Sequence, residues 1–385
     1  LIDLERLNKE RSSALNSLIK KLGLDAMLLT GYDNVRYATG KRPVLVVDWY
    51  DPNSALLAPD SEPILMAQWA QGSPGGQPPR EAMGRKNFPI TLNAIIANIW
   101  ARIYAKNIAN LRPKKRIGVD HLPFEIFLEL KKLLPDYDFV PILKDLLLLR
   151  SIKSDLEIQL LREAAKVVDA GLETAFKMMK PGMNERQIYG AAVASMIVEG
   201  SEGEPFFQMA SSGESSVMNI FPTDRRIRDG ETVIIDLGSM VEGYVGDAMR
   251  TGYAGATPSY ETKLLYSSLY DAYFEGMKLI KPQTRTLEID KAIRNCLLSR
   301  GYPDLPLAMG HGVGLRCIEL PSISSEENDG DGQIDVLKAG MTLALEPRTF
   351  KKGIGMVGIE DVVLVTSAGY ELLNKASYCE GLLLK

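Results

Sequence analysis

The chain's 385 residues exceed what one ordinary core organises, so two domains are expected. With 45% hydrophobic and 24% charged residues, and no apolar run near the roughly eighteen residues a membrane helix needs, the composition is that of a globular chain rather than an inserted one. A net charge of -4 and a pI near 5.6 leave no basic footprint for a phosphate backbone, and Cys296, Cys317 and Cys379 are too widely spaced for a disulfide framework or a CxxC knuckle, which suits a reducing, cytoplasmic setting.

The amino end, LIDLERLNKERSS, has helix patterning without an apolar signal core. Leu4, Leu7, Leu15, Leu18, Ile19 and Leu22 fall on one side of a helical wheel that Gly23 closes. The strand-like runs AMLLTG, ALLAPD, EPILMAQ and RIGVD then alternate with the helix-like LNAIIANIWARIYAKNIANL and PFEIFLELKKLLP, which predicts an α/β leading domain. Ser154 and Glu157 make a capping box, and a long amphipathic helix follows, so a boundary is expected near residue 150: a leading domain of residues 1–148 and a second domain of residues 149–385. Asn184 and Gln187 cap the next helix. Strands dominate from there to about residue 254; two helices follow, and strands return. Helices then strands, twice over, predict an α+β domain built from two related halves.

Four acids stand where such strands should be driest. In TVIIDLGSMVEGYVGDAMRT, Asp236 closes a buried run and Asp247 follows a glycine-rich turn; Glu346 ends the strand in MTLALEPRTF, and Glu360 opens the β-branched VGIEDVVLVT. His311 lies between glycines in MGHGVGL. Buried carboxylates are driven toward neutrality, and four together repel one another. If they converge, two divalent cations balance them, since no lysine or arginine cluster lies nearby in the sequence. Two bridging and two capping carboxylates with an imidazole would set the ions about 3.5–4 Å apart, the spacing that shares one bridging hydroxide. Oxygen-rich ligands with one imidazole suit Mn, Co, Fe or Zn. Taken singly, Asp236 can instead cap a turn, Glu360 can pair with Arg250, and His311 can be a satisfied core histidine.

Other chemistries find less support. There is no GxSxG elbow, and a Cys317 nucleophile would need the same histidine. GHGVGL is not a dinucleotide fingerprint, no GxxxxGK[ST] occurs, and DGDG at 329–332 lacks the ligands of a calcium loop.

Asp-x10-Asp, GHGxGL, LxxEP and IED, in that order, resemble the "pita-bread" metallopeptidases, the family of methionine aminopeptidase, aminopeptidase P and prolidase, with creatinase as a metal-free relative. The resemblance spans nearly the whole chain. It implies Asp236, Asp247, His311, Glu346 and Glu360 as ligands of two divalent metal ions, with Glu346 also moving a proton. It also implies a pita-bread catalytic domain behind a smaller α/β, creatinase-like (ribonuclease H-like) N-terminal domain, and a homodimer. The leading domain points to the prolidase, aminopeptidase P and creatinase branch.

The departures bear on activity. Where Xaa-Pro-cleaving members carry a histidine before the first aspartate and another after GHGxGL, this chain has Asn219 and Ile318, and Gly358 replaces an arginine before IE. Only His121 and His311 exist, and His121 is expected in a loop or at the surface of the leading domain. Losing one transition-state donor costs about 10²- to 10³-fold; Asn219 retains an amide donor, whereas Ile318 has none. Glu319 is expected either behind the ligands or at the surface. In the leading domain Trp49 and Tyr50 of DWYDP either wall a pocket or pack, and Arg36 and Tyr37 are candidate substrate contacts for a carboxylate and a cation. The leading expectation is a hydrolase cleaving before proline in small peptides. Its rivals are a metal-dependent lyase or C–N hydrolase acting on a small creatine-, ectoine- or sulfonium-type zwitterion, and a binding protein that keeps only the fold. No nucleic acid or membrane partner is expected.

Overall fold

The computed structural model describes residues 2–42, 53–66, 93–111, 114–206, 209–303, 305–324 and 335–384. The chain divides into two compact units, Leu1–Leu149 and Arg150–Lys385. Trp49, Tyr50 and the acidic DGDG segment lie outside the described residues.

In the first unit, the helix Leu4–Lys21 starts where the Asp3 carboxylate accepts from the Arg6 amide at 3.0 Å and ends before Gly23, whose φ of 61° suits a residue without Cβ. Its face of Leu7, Leu15, Leu18 and Ile19 is buried. Five strands, β1 (Ala26–Leu29), β2 (Ser54–Leu57), β3 (Ile64–Met66), β4 (Arg116–Val119) and β5 (Asp138–Pro141), form a sheet in the order β3-β2-β1-β4-β5. β1 runs parallel to β4 and antiparallel to β2. It is buried on both faces, as an uninterrupted AMLL run requires. The helices Asn93–Asn110 and Phe124–Leu133 bring Trp100, Tyr104, Ile126 and Leu130 into the same core.

Arg36 and Tyr37 belong to the helix Tyr32–Thr39 and are buried within the unit; the Arg11 guanidinium lies 5.3 Å from the centre of the Tyr37 ring, so the cation this aromatic receives is internal. Trp100 is core packing. His121 is exposed, as expected.

The second unit is antiparallel. β6 (Met209–Ser212), β7 (Thr232–Val241), β8 (Tyr244–Tyr253), β9 (Gly310–Gly312), β10 (Glu319–Ile323), β11 (Thr342–Leu345), β14 (Glu360–Val365) and β15 (Tyr370–Leu372) make one sheet. Its order is β10-β9-β11-β14-β8-β7-β6, with β15 also on β14. β12 (Arg348–Lys351) and β13 (Gly355–Gly358) form a separate ladder. The helices Asp155–Met178 and Glu185–Val198, both begun by the expected capping boxes, share a core with β7 and β8. A second pair, Tyr260–Met277 and Thr286–Ser299, packs with β11 and β14.

One boundary differs from expectation. Asp236 does not end its strand: β7 runs on through Gly238 to Val241, and the turn comes at Glu242 and Gly243. Phe206 covers Gly238, occupying the space where a Cβ would sit, so this glycine serves a close packing contact and not a turn.

Candidate metal centre

Strand register brings the acids together. Asp236 on β7 and Glu360 on β14 both lie opposite Met249 of β8, and Asp247 lies two residues before Met249 on the same face. Leu345 pairs with Asp361, so the next position of that ladder sets Glu346 opposite Glu360. His311 pairs with Ala344, two residues before Glu346. Period-two alternation therefore aims all five side chains to one face of the sheet. The glycines around His311 have a steric reason: a Cβ on Gly310 would meet the Ala344 carbonyl oxygen, and one on Gly312 the Leu320 carbonyl oxygen.

Carboxylate and imidazole atoms gather in groups whose members lie within 4.8 Å of one another: Asp236, Asp247 and Glu360; His311, Glu346 and Glu360; and Asp247, His311 and Cys317. Asp236, Asp247, His311 and Glu360 are buried. His311 Nδ1 lies 3.0 Å from the Gly312 carbonyl, which only accepts, so Nδ1 donates there and Nε2 faces the acids, 3.4 Å from Glu346 Oε1 and 4.0 Å from Asp247 Oδ2. Outside the acids themselves, no donor among the described residues reaches Asp236 Oδ1 or Glu360 Oε2. Two buried oxygens without donors, two carboxylates common to more than one group (Asp247 and Glu360) and an imidazole whose Nε2 faces the acids fit a divalent cation's requirements.

One cationic side chain stands among the acids, against the expectation from sequence. Arg348 Nη2 lies 3.3 Å from Asp236 Oδ2 and bonds Glu346 Oε2. Two residues beyond Glu346 along an extended chain, it returns to the same side, a period-two signal available in LEPR. One guanidinium does not balance four acids. Burial lifts Asp236 to about 6, with Arg348 opposing and Glu346 reinforcing the shift. Burial and the neighbouring carboxylates hold Asp247 and Glu360 well above the ordinary range. Beside the acids lies a pocket of about 120 Å³ lined by Leu305, Leu307, Ala308, Met309, Glu346 and Arg348.

The remaining sequence candidates lie elsewhere in the unit. Asn219 donates its amide to the Phe221 carbonyl at 3.0 Å, a local exposed bond, and no described hydrogen bond ties it to the acids. Ile318 is 69% exposed. Glu319 is neither at the surface nor among the ligands: buried, it bonds Arg150 and lies 3.5 Å from Lys153 Nζ. Burial pushes its carboxyl up, but the two cations outweigh that and hold it below the usual range. Arg250 does not pair with the Glu360 side chain; it donates to the Glu360 carbonyl at 2.6 Å and meets Asp361 Oδ1 at 2.5 Å. Met249 packs against Gly358 where a side chain would begin, and Arg348 lies directly opposite Gly358 in the β12–β13 ladder. A guanidinium is thus present across the ladder from the position where sequence comparison expects one.

This antiparallel sheet with its one-sided acid set has the pita-bread fold. Residues 159–367 match the model of metallopeptidase family M24, and the chain belongs to that family; residues 11–152 match the creatinase/prolidase N-terminal domain. The chain is similar to the "Uncharacterized peptidase YqhT" of Bacillus subtilis (strain 168), 28% identical over 92% of this chain and 95% of that one. An Xaa-Pro dipeptidase of Pyrococcus horikoshii is 30% identical over 68% of this chain and 73% of its own length. The crystal structure of a prolidase from Pyrococcus horikoshii OT3 is similar with a TM-score of 0.77 at 26% identity, covering 96% of this chain and 99% of that one. No helix among the described residues is long and apolar enough to cross a membrane.

Proposed function

We propose that this protein is a dinuclear metal-dependent peptidase that cleaves Xaa-Pro bonds in short peptides. The observation that carries the reading is the shared face of Asp236, Asp247, His311, Glu346 and Glu360, with two buried oxygens lacking donors. Similarity to an Xaa-Pro dipeptidase and a prolidase supports the substrate class. Asp236 would hold one ion, His311 and Glu346 the other, and Asp247 and Glu360 both. When bound, such ions supply Lewis acidity and a water that is nucleophilic near neutral pH.

The chain's own residues orient the substrate and move protons. Glu346, at the junction of the acids and the pocket, accepts the proton of the attacking water and returns it to the leaving nitrogen. Leu305, Leu307, Ala308 and Met309 offer an apolar wall for a proline ring. Arg348 can receive the terminal carboxylate: its Nε–H has no acceptor among the described residues, and divalent ions on Asp236 and Glu346 would release its Nη2. In this reading the guanidinium opposite Gly358 stands in for the arginine absent from that position. The enzyme is expected to work in the cytoplasm and as a homodimer, the latter checked by sedimentation of the purified protein.

The test is turnover of Xaa-Pro dipeptides, their C-terminal amides and longer Xaa-Pro peptides in Mn(II) or Co(II), with bound metal counted. Cleavage of free-acid dipeptides at about two ions per chain is expected. With metal bound, failure on every proline peptide ends the reading; turnover of a small creatine-, ectoine- or sulfonium-type zwitterion would then favour the non-peptidase chemistry.

A further inference from the structure

Cys317 lies among the acids without any role assigned by the reading above. Its Sγ is 3.4 Å from Asp247 Oδ2, and the sulfur, His311 nitrogen and Asp247 oxygen all lie within 4.8 Å of one another. The turn carrying it is held from behind. The Arg316 amide donates to Glu319 Oε1 at 3.1 Å, and Glu319 is itself held by Arg150 and Lys153. With Ile318 turned to solvent, this anchoring directs the neighbouring thiol inward. Independently, Glu360 Oε2, on a residue only 1% exposed, has no donor among the described residues, and neither has Asp236 Oδ1; both stand in the cluster that shares Asp247 with the thiol.

We propose that Cys317 is a thiolate ligand of this centre, on the ion shared by His311 and Asp247, and that it biases the centre toward zinc, cobalt(II) or iron(II) over manganese. The inference rests on the metal-centre reading above. Zinc bonds to nitrogen and sulfur are about 2.0–2.3 Å long, so donors already within 4.8 Å close on a common ion by moving roughly an ångström. On coordination the S–H bond breaks as the S–metal bond forms, and the proton leaves to bulk water. Soft sulfur selects against manganese, which prefers carboxylate and water oxygens. Without sulfur, the same oxygen-rich set discriminates poorly.

Full-length protein stripped with a chelator and titrated with Co(II) tests this by absorption. The parent should develop an intense near-ultraviolet thiolate-to-cobalt charge-transfer band, which Cys317→Ser and Cys317→Val should both lack while retaining visible cobalt bands. Cys296 and Cys379 are present in all three proteins and serve as internal controls. In direct competition, the zinc-over-manganese preference should fall at least roughly tenfold in both variants. Cobalt uptake by the parent without the band, or a band that survives in the variants, overturns the thiolate and leaves the carboxylate centre standing. Absence of cobalt binding in the parent overturns both.

Discussion

Glu360 and Asp361 are consecutive residues on one strand, equally buried, and they face opposite environments. Asp361 is fully provided for: Arg250 at 2.5 Å, Tyr273 at 2.7 Å and Tyr378 at 2.9 Å, with Arg250 stacked 4.6 Å over the Tyr378 ring. On the other face, Glu360 shares its space with two aspartates and a glutamate, and one of its oxygens has no donor. Burial alone therefore does not distinguish a structural acid from a functional one; the completeness of its partners does. The Glu319 site, with Arg150 and Lys153, belongs with Asp361.

The sharpest way to break this comparison is to alter each side in turn. Asp247→Asn removes a carboxylate shared by two ligand groups, and bound metal should fall from about two ions per chain. Activity should fall with it by more than the roughly 10- to 100-fold that loss of a mere supporting partner costs. Metal analysis and steady-state rates on one preparation check both; normal metal content in the variant contradicts the assignment.

Asp361→Asn should do the converse. Leaving Arg250 buried without its carboxylate destabilises by about 3–5 kcal/mol. Any protein that stays folded should bind metal normally. Urea unfolding gives the first quantity, and metal content the second.

A smaller effect concerns pH. In chelated protein the folded value of Asp236, about 6, lies above its ordinary 3.8, so the folded chain binds that proton more tightly than the unfolded chain. Its stabilising contribution is complete below about 3.8 and is lost as pH rises through 6, at most about 3 kcal/mol. Chemical unfolding between pH 4 and 7 should show this decline in chelated protein and a flatter profile with saturating metal. Equal profiles would mean that the ions do not engage Asp236.

The smallest expected effect is that of Arg348→Ala. For free-acid dipeptides KM should rise about tenfold, the order of one charge-assisted contact. C-terminally amidated substrates should be nearly indifferent, and kcat should change less than KM. Equal losses on acid and amide would assign Arg348 to holding Asp236 and Glu346 instead.

Much of this contrast was legible in the sequence, because capping and ligand spacing are local signals. Ser154 with Glu157 and Asn184 with Gln187 announce their helices within four residues, and the acids stand out against apolar neighbours. What escaped depends on pairing. Gly238 looks like a turn until Phe206 is seen over it, and Arg250 chooses Asp361 over the Glu360 side chain because adjacent residues of a strand point to opposite faces. Short elements such as β5 and the helix Leu143–Ser151 carry too few residues to display a period. Arg348 and Cys317 stand outside the acid-and-histidine spacing that marks the centre, and only the fold brings them to it.

The backbone around His311 carries a consequence for how this protein can vary. Main-chain oxygens of neighbouring segments already occupy the space a methyl group would need at Gly310 and Gly312. Two positions that contribute no side chain to the acid cluster are therefore closed to mutation on steric grounds alone. Lineages that abandon the chemistry but keep the fold would retain those glycines long after the acids have drifted.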